Sequence, residues 1–124
     1  MLILYVALGS AVGGVVRYLI VTAVSRIFGE AFPWGTLTVN ITGSFLLGFM
    51  IVDISTQFLI LPAHCFGVVG FCGGLTTFSS FSLQNLTLAS QRSWRAVAWN
   101  ILGSTSLCMI CLLVGYLIGE GSLF

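Results

Sequence analysis

The sequence predicts an all-α membrane protein with four transmembrane helices, and three observations lead there. Hydrophobic residues make up 58% of the 124 positions and charged residues 6%, with a mean hydropathy of +1.14, whereas a soluble domain carries about 25% charged residues. The apolar residues fall into four runs, each close to the roughly 20 residues that a helix needs to cross hydrocarbon. Arginines, carboxylates and prolines fall mostly between the runs.

The expected spans cover roughly residues 2–28, 33–54, 62–88 and 95–118, by apolar run length and polar punctuation. Span 1 opens Met-Leu-Ile-Leu-Tyr and closes at the Arg26-Ile-Phe-Gly-Glu30 turn. With no basic n-region and too long an apolar stretch for a cleaved leader, it is expected to be retained. Span 2 is expected to start at Pro33, whose fixed φ suits a first helical turn. Span 3 follows Pro62 and span 4 follows Arg92 and Arg95. No linker, charge block or internal repeat divides the chain, so a single four-span domain over residues 1–124 is expected.

Span 3 departs from the pattern. Residues 70–81 read Gly70-Phe-Cys-Gly-Gly-Leu-Thr-Thr-Phe-Ser-Ser-Phe81, with three glycines, two threonines and two serines among the aromatics. Unpaired backbone groups in hydrocarbon cost several kcal/mol, so a weakened helix there has to be buried in protein or line a polar path. The expected break covers about residues 73–77, where freed carbonyls and helix ends can coordinate ions.

Composition also excludes function classes. A net charge of +1, from four arginines against three carboxylates, makes no nucleic-acid surface. Cys65, Cys72, Cys108 and Cys111 lie in apolar runs without zinc-type pairing and are read as buried thiols. No catalytic constellation stands out, so the chain is not expected to be an enzyme. Span 1 has no deep carboxylate, which weighs against an exporter of the small multidrug-resistance type. A non-transporting assembly subunit would leave the glycine and threonine cluster unexplained.

Small residues recur at four-residue spacing at Gly9 and Gly13, Ser44 and Gly48, and Gly115 and Gly119, the pattern that lets helix backbones approach. Spare faces of this kind lead to an expected homodimer. Arg26, Arg92 and Arg95 share one side of the membrane if the spans alternate, which favours an outside N-terminus. Tyr18, Trp34, Trp94 and Trp99 are read as interfacial anchors, and Asp53 and His64 as a polar boundary beside the 55–62 loop.

Polar residues within spans are functional candidates by default. Thr36, Asn40, Gly43 and Ser44 share one face of span 2. The Asn40 carboxamide offers two N–H donors without charge, suiting either an anion path or an interhelical bond. Asn100, Ser104, Cys108 and Cys111 share a face of span 4, read first as packing. Arg17, two-thirds along span 1, can snorkel to the interface or raise anion concentration at a pore mouth. Phe78, Phe81, Ser82 and Asn85 form a stripe on the second half of span 3. Its rings suit an anion edge-on, a cation face-on, or plain core packing.

The 70–81 segment, Phe32-Pro-Trp-Gly-Thr-Leu-Thr-Val-Asn40-Ile-Thr-Gly-Ser-Phe45 and Gly9-Ser-Ala-Val-Gly-Gly-Val-Val-Arg17-Tyr18 together resemble the Fluc/CrcB fluoride channel family. The resemblance covers nearly the whole chain. It implies a dual-topology homodimer of antiparallel subunits in a prokaryotic inner (plasma) membrane, with fluoride as the ion conducted and exported. It also implies a central structural sodium ion on backbone carbonyls, here Gly73 and Thr76. The family's aromatic box maps onto Phe78 and Phe81, its pore asparagine onto Asn40, a span 4 polar position onto Ser104, and its vestibule arginine onto Arg17. A tyrosine common one turn before Ser104 stands here as Asn100. No carboxylate lies deep in a span for proton coupling, so transport is expected to be passive.

Overall fold

A computed structural model describes residues 1–54 and 62–122, the side chains of residues 53 and 54 excepted. The 55–61 part of the expected loop and the Asp53 carboxylate therefore lie outside the described residues. The chain forms α1 (Leu2–Phe28), α2 (Trp34–Ile54), α3 (Pro62–His64), a π-helical stretch (Cys65–Cys72), α4 (Gly73–Leu75), α5 (Ser79–Ser90) and α6 (Trp94–Ser122). There is no strand among the described residues. Four stretches, Leu2–Phe28, Trp34–Val52, Pro62–Ser90 and Trp94–Ser122, are long and apolar enough to cross a membrane. The chain is a multi-pass, all-helical membrane protein.

Local chemistry sets the helix ends. Gly29 takes φ 78°, open to glycine without a Cβ penalty, and its N–H caps α1 on the Ser25 carbonyl at 2.9 Å. Pro33 precedes α2 rather than opening it, and its carbonyl accepts the Leu37 N–H at 3.1 Å. The α5–α6 turn closes with two bonds, Arg92 N–H to the Ala89 carbonyl and Ser93 N–H to the Leu88 carbonyl, both 3.0 Å. That is a Schellman pair, with Arg92 at φ 56° in the position usually given to glycine.

Two glycine-lined contacts hold the bundle. On α1, a Cβ at Gly9 would collide with the Phe66 carbonyl oxygen and one at Gly13 with that of Phe71, while Gly70 and Gly74 face the Val6 and Ser10 carbonyls in return. Between α2 and α6, Gly48 meets the Leu112 carbonyl, and Gly115 and Gly119 meet those of Phe45 and Phe49. Backbones this close gain dispersion contacts that larger residues would forbid. The small faces read as spare are thus spent inside the chain, and these glycines are no argument for a second copy.

Gly73 and Gly74 also differ from expectation. Both remain helical in α4; the smallness of Gly74 serves close approach to Ser10 on α1, while an added Cβ at Gly73 would meet nothing within 4 Å. Helical backbone ends after Leu75, with Thr76 extended at φ −79° and ψ 157°, and resumes at Ser79. The irregular residues are Thr76, Thr77 and Phe78, near the middle of the third membrane-length stretch.

The least exposed large side chains are Leu75, Val39 and Asn100. Outward faces of α1 and α6 carry exposed Ile3, Val15, Leu19, Leu102, Met109 and Leu117, as suits contact with lipid tails. Tyr18, Trp34, Trp94 and Trp99 are exposed as well.

Candidate functional site

Three of the backbone polar groups between Leu75 and Ser79, the Thr76 carbonyl and the Thr77 N–H and carbonyl, find side-chain partners. Thr77 is the hub. Its N–H donates to Asn40 Oδ1 at 2.8 Å, and its carbonyl accepts from Asn40 Nδ2 at 3.0 Å. The Thr77 hydroxyl accepts the Ser80 N–H at 3.2 Å, capping the first turn of α5. Thr76 keeps its N–H and hydroxyl on the Cys72 carbonyl, at 3.0 and 2.9 Å.

Asn40 was open to two readings, anion donor or interhelical bond. The structure makes the bond: α2 holds the irregular backbone through a two-point carboxamide clamp. One Nδ2 hydrogen is left over, because a carboxamide nitrogen carries two. Arg17 does not snorkel outward. Its guanidinium Nη1 donates to the Thr76 carbonyl at 3.2 Å, turning a cation toward the irregular backbone from α1.

Asn40, Gly73, Thr76, Phe78, Phe81 and Ser104 line one groove of about 600 Å³, together with Gly43, Ser44, Cys72 and Cys108. Arg17 is not among its lining residues. Phe78 is 78% exposed beside this groove, and its ring lies 5.8 Å from that of Phe81 at a tilt of 42°. The face on α2 divides, for Thr36 is buried and lines a separate polar cavity with Ser25, Gln84 and Gln91.

The stripe read on the second half of span 3 divides too. Phe81 faces the groove, but Asn85 turns to α6, where its Oδ1 accepts from Asn100 Nδ2 at 2.7 Å. Asn100 in turn accepts the Ser104 hydroxyl at 3.1 Å. Two residues escaped the sequence reading in these roles, Thr77 as hub and Asn85 as partner of Asn100. The signal for Thr77 was present: a hydroxyl residue three positions before Ser80, just ahead of a helix, is a capping pattern. Asn85 offered no local signal, since its partner lies on another span.

Fold and groove together define a small helical membrane protein with a largely apolar groove, carrying a few polar side chains, beside the irregular residues of its third span. Comparison with known proteins agrees, and the chain belongs to the CrcB family: the model described as "CrcB-like protein, Camphor Resistance (CrcB)" matches residues 4–116. It is 43% identical over 122 residues to a protein of Magnetococcus marinus named "Fluoride-specific ion channel FluC", covering 97% of this chain and 98% of the relative. Proteins with that name from Opitutus terrae, over 97% of this chain and 93% of theirs, and Shewanella oneidensis, over 91% of each, are both 41% identical to it.

Proposed function

We propose that this chain forms a passive, fluoride-selective channel from two antiparallel copies and exports fluoride from a prokaryotic cell across its inner membrane, lowering the cytoplasmic concentration. The observation that carries the reading is the convergence of Asn40, Phe78, Phe81 and Ser104, from three different spans, on one groove. The chain's relatives bear the name of fluoride-specific ion channels.

Fluoride is small and tightly hydrated, so a pore has to replace water donors step by step without trapping the ion. The remaining Nδ2 hydrogen of Asn40 is one such donor, and the positive edges of Phe78 and Phe81 are another source of weak attraction. An inside-negative potential, worth about 2.3 kcal/mol per charge per 100 mV, drives the anion outward without a coupled ion.

A second copy is supported by the groove rather than by the glycines. Irregular backbone at membrane depth is tolerated only inside protein or along water, and this groove, with Phe78 largely exposed beside it, is open on one side. An inverted copy would cover it and keep lipid out.

The carbonyls of Gly73 and Thr76 suit a hard cation such as sodium. The Thr77 N–H, which would close the next helical turn on Gly73, is turned to Asn40 instead, and the Thr76 carbonyl retains a lone pair beside its bond to Arg17. When bound, the ion supplies positive charge shared between copies and is structural, not cargo.

Purified protein in liposomes loaded with fluoride or chloride tests the reading. Rapid fluoride release with chloride retained is expected; equal retention of both ions overturns it.

A further inference from the structure

The chain Asn85–Asn100–Ser104 is a hydrogen-bond relay that starts at the half-buried Asn85 and ends at the groove. Asn100 is 2% and Ser104 6% exposed. Asn100 Nδ2 donates to Asn85 Oδ1 at 2.7 Å, and the Ser104 hydroxyl donates to Asn100 Oδ1 at 3.1 Å. In this arrangement the single proton of Ser104 is committed away from the groove that its residue lines. What Ser104 then offers a ligand is lone pairs only, which repel an anion.

The same three side chains can bond with opposite polarity. If both carboxamides turn over, Asn85 Nδ2 donates to Asn100 Oδ1, Asn100 Nδ2 donates to the Ser104 oxygen, and the Ser104 proton is released toward the groove. Both arrangements contain two hydrogen bonds between the same groups, so neither leaves a relay partner unpaired. We infer that Asn85 and Asn100 are positioning residues that set whether Ser104 presents a lone pair or a proton to the groove, and so tune its capacity to receive an anion. The inference rests on the channel reading, and it deepens that reading by placing a polarity control behind one wall.

Two substitutions push the relay in opposite directions. Asn85→Asp can only accept, so it holds Asn100 Nδ2 and keeps the Ser104 proton on Asn100. Asn100→Ala removes the acceptor and frees that proton. Each is made with Ser104 present and with Ser104→Ala, and fluoride and chloride release from liposomes is measured for all, with size-exclusion profiles to confirm assembly.

Expected is slower fluoride release for Asn85→Asp and faster release for Asn100→Ala. Each change should be at least about threefold larger with Ser104 than with Ala at that position, a coupling typical of groups in one network. The charge at position 85 and any loosening at position 100 act in both backgrounds and cancel in the comparison. Equal fold-changes with and without Ser104 overturn the inference while leaving the channel reading intact. Absence of fluoride release from the unsubstituted protein overturns both. Should one substitution fail to assemble, the other decides alone.

Discussion

Asn40 and Thr77, 37 residues apart, are joined at two points: the carboxamide accepts the Thr77 N–H at 2.8 Å and donates to the Thr77 carbonyl at 3.0 Å. A single side chain on α2 thereby replaces the helical neighbours that Thr77 lacks. Asn40→Ala strips both partners from a residue that is 9% exposed, and a buried polar group left unpaired costs about 1–3 kcal/mol. Thermal unfolding in detergent should fall accordingly. Asn40→Asp keeps the acceptor but sets a carboxylate against a carbonyl oxygen, and should lower both stability and fluoride flux. Unfolding temperatures equal to that of the unsubstituted protein would show that the clamp is not what holds this backbone.

The aromatic pair should behave differently. Within the single chain Phe78 is 78% exposed, and its ring lies 5.8 Å from that of Phe81, so little of that chain's folding energy depends on it. Phe78→Ile and Phe81→Ile keep apolar bulk but remove the ring edge that attracts an anion. Fluoride release should drop by about tenfold or more for a lost contact near 1.4 kcal/mol, with thermal stability nearly unchanged for Phe78→Ile. Normal release in both variants would take the rings out of the ion's path.

Much of the fold was legible because a membrane imposes long apolar runs, and the four runs of this chain are separated by Gly29 to Pro33, the 55–61 segment and the Gln91 to Ser93 turn. The detail inside span 3 was less so. Gly73 and Gly74 read as helix breakers, yet a glycine is equally a packing residue, and only the neighbouring Ser10 carbonyl on α1 reveals which role Gly74 has. The same ambiguity applies to the glycines at positions 9, 13, 48, 115 and 119, which read as spare faces in the sequence and make close contacts within the chain. Asn40 was recognisable as a polar group suited to an interhelical bond and Asn85 only as part of a stripe, and their partners lie on other spans, at Thr77 and Asn100. Periodicity orders residues on one helix face and is silent about what that face meets.

The glycine contacts separate two kinds of position. At Gly48 a Cβ would run into the Leu112 carbonyl, a backbone atom that moves only if α6 moves. Gly103, on the same α6, has nothing within 4 Å of the added carbon. Gly48→Ala should therefore destabilise by about 1–3 kcal/mol through overpacking. Gly103→Ala should be neutral or stabilising by up to about 1 kcal/mol from helix propensity. Denaturant or thermal melts of the two variants side by side check the contrast, which fails if both shift alike.

The Arg17 guanidinium and a bound sodium ion would share the Thr76 carbonyl, and two positive charges on one oxygen oppose each other. Replacing sodium with N-methylglucamine should lower the unfolding temperature of the unsubstituted protein. Arg17→Gln, which removes the competing charge, should lower the sodium concentration needed for half of the stabilisation. If neither protein responds to sodium, the Gly73 and Thr76 carbonyls hold no such ion.

Arg92 occupies the left-handed region at φ 56°, where an L side chain crowds the following carbonyl at a cost of about 1–2 kcal/mol. Its conformation is required by the turn, because the Arg92 and Ser93 N–H groups close onto the Ala89 and Leu88 carbonyls. Arg92→Gly relieves the crowding, but the unfolded chain gains freedom worth about 0.4–1 kcal/mol, so the net gain should be about 0.5–1 kcal/mol. Arg92→Ala removes the same charge and retains the Cβ, hence the strain. A rise in unfolding temperature for Arg92→Gly and none for Arg92→Ala would assign the effect to backbone geometry. Equal shifts in the two variants would assign it to the lost guanidinium, and the turn's left-handed residue would then carry no measurable strain.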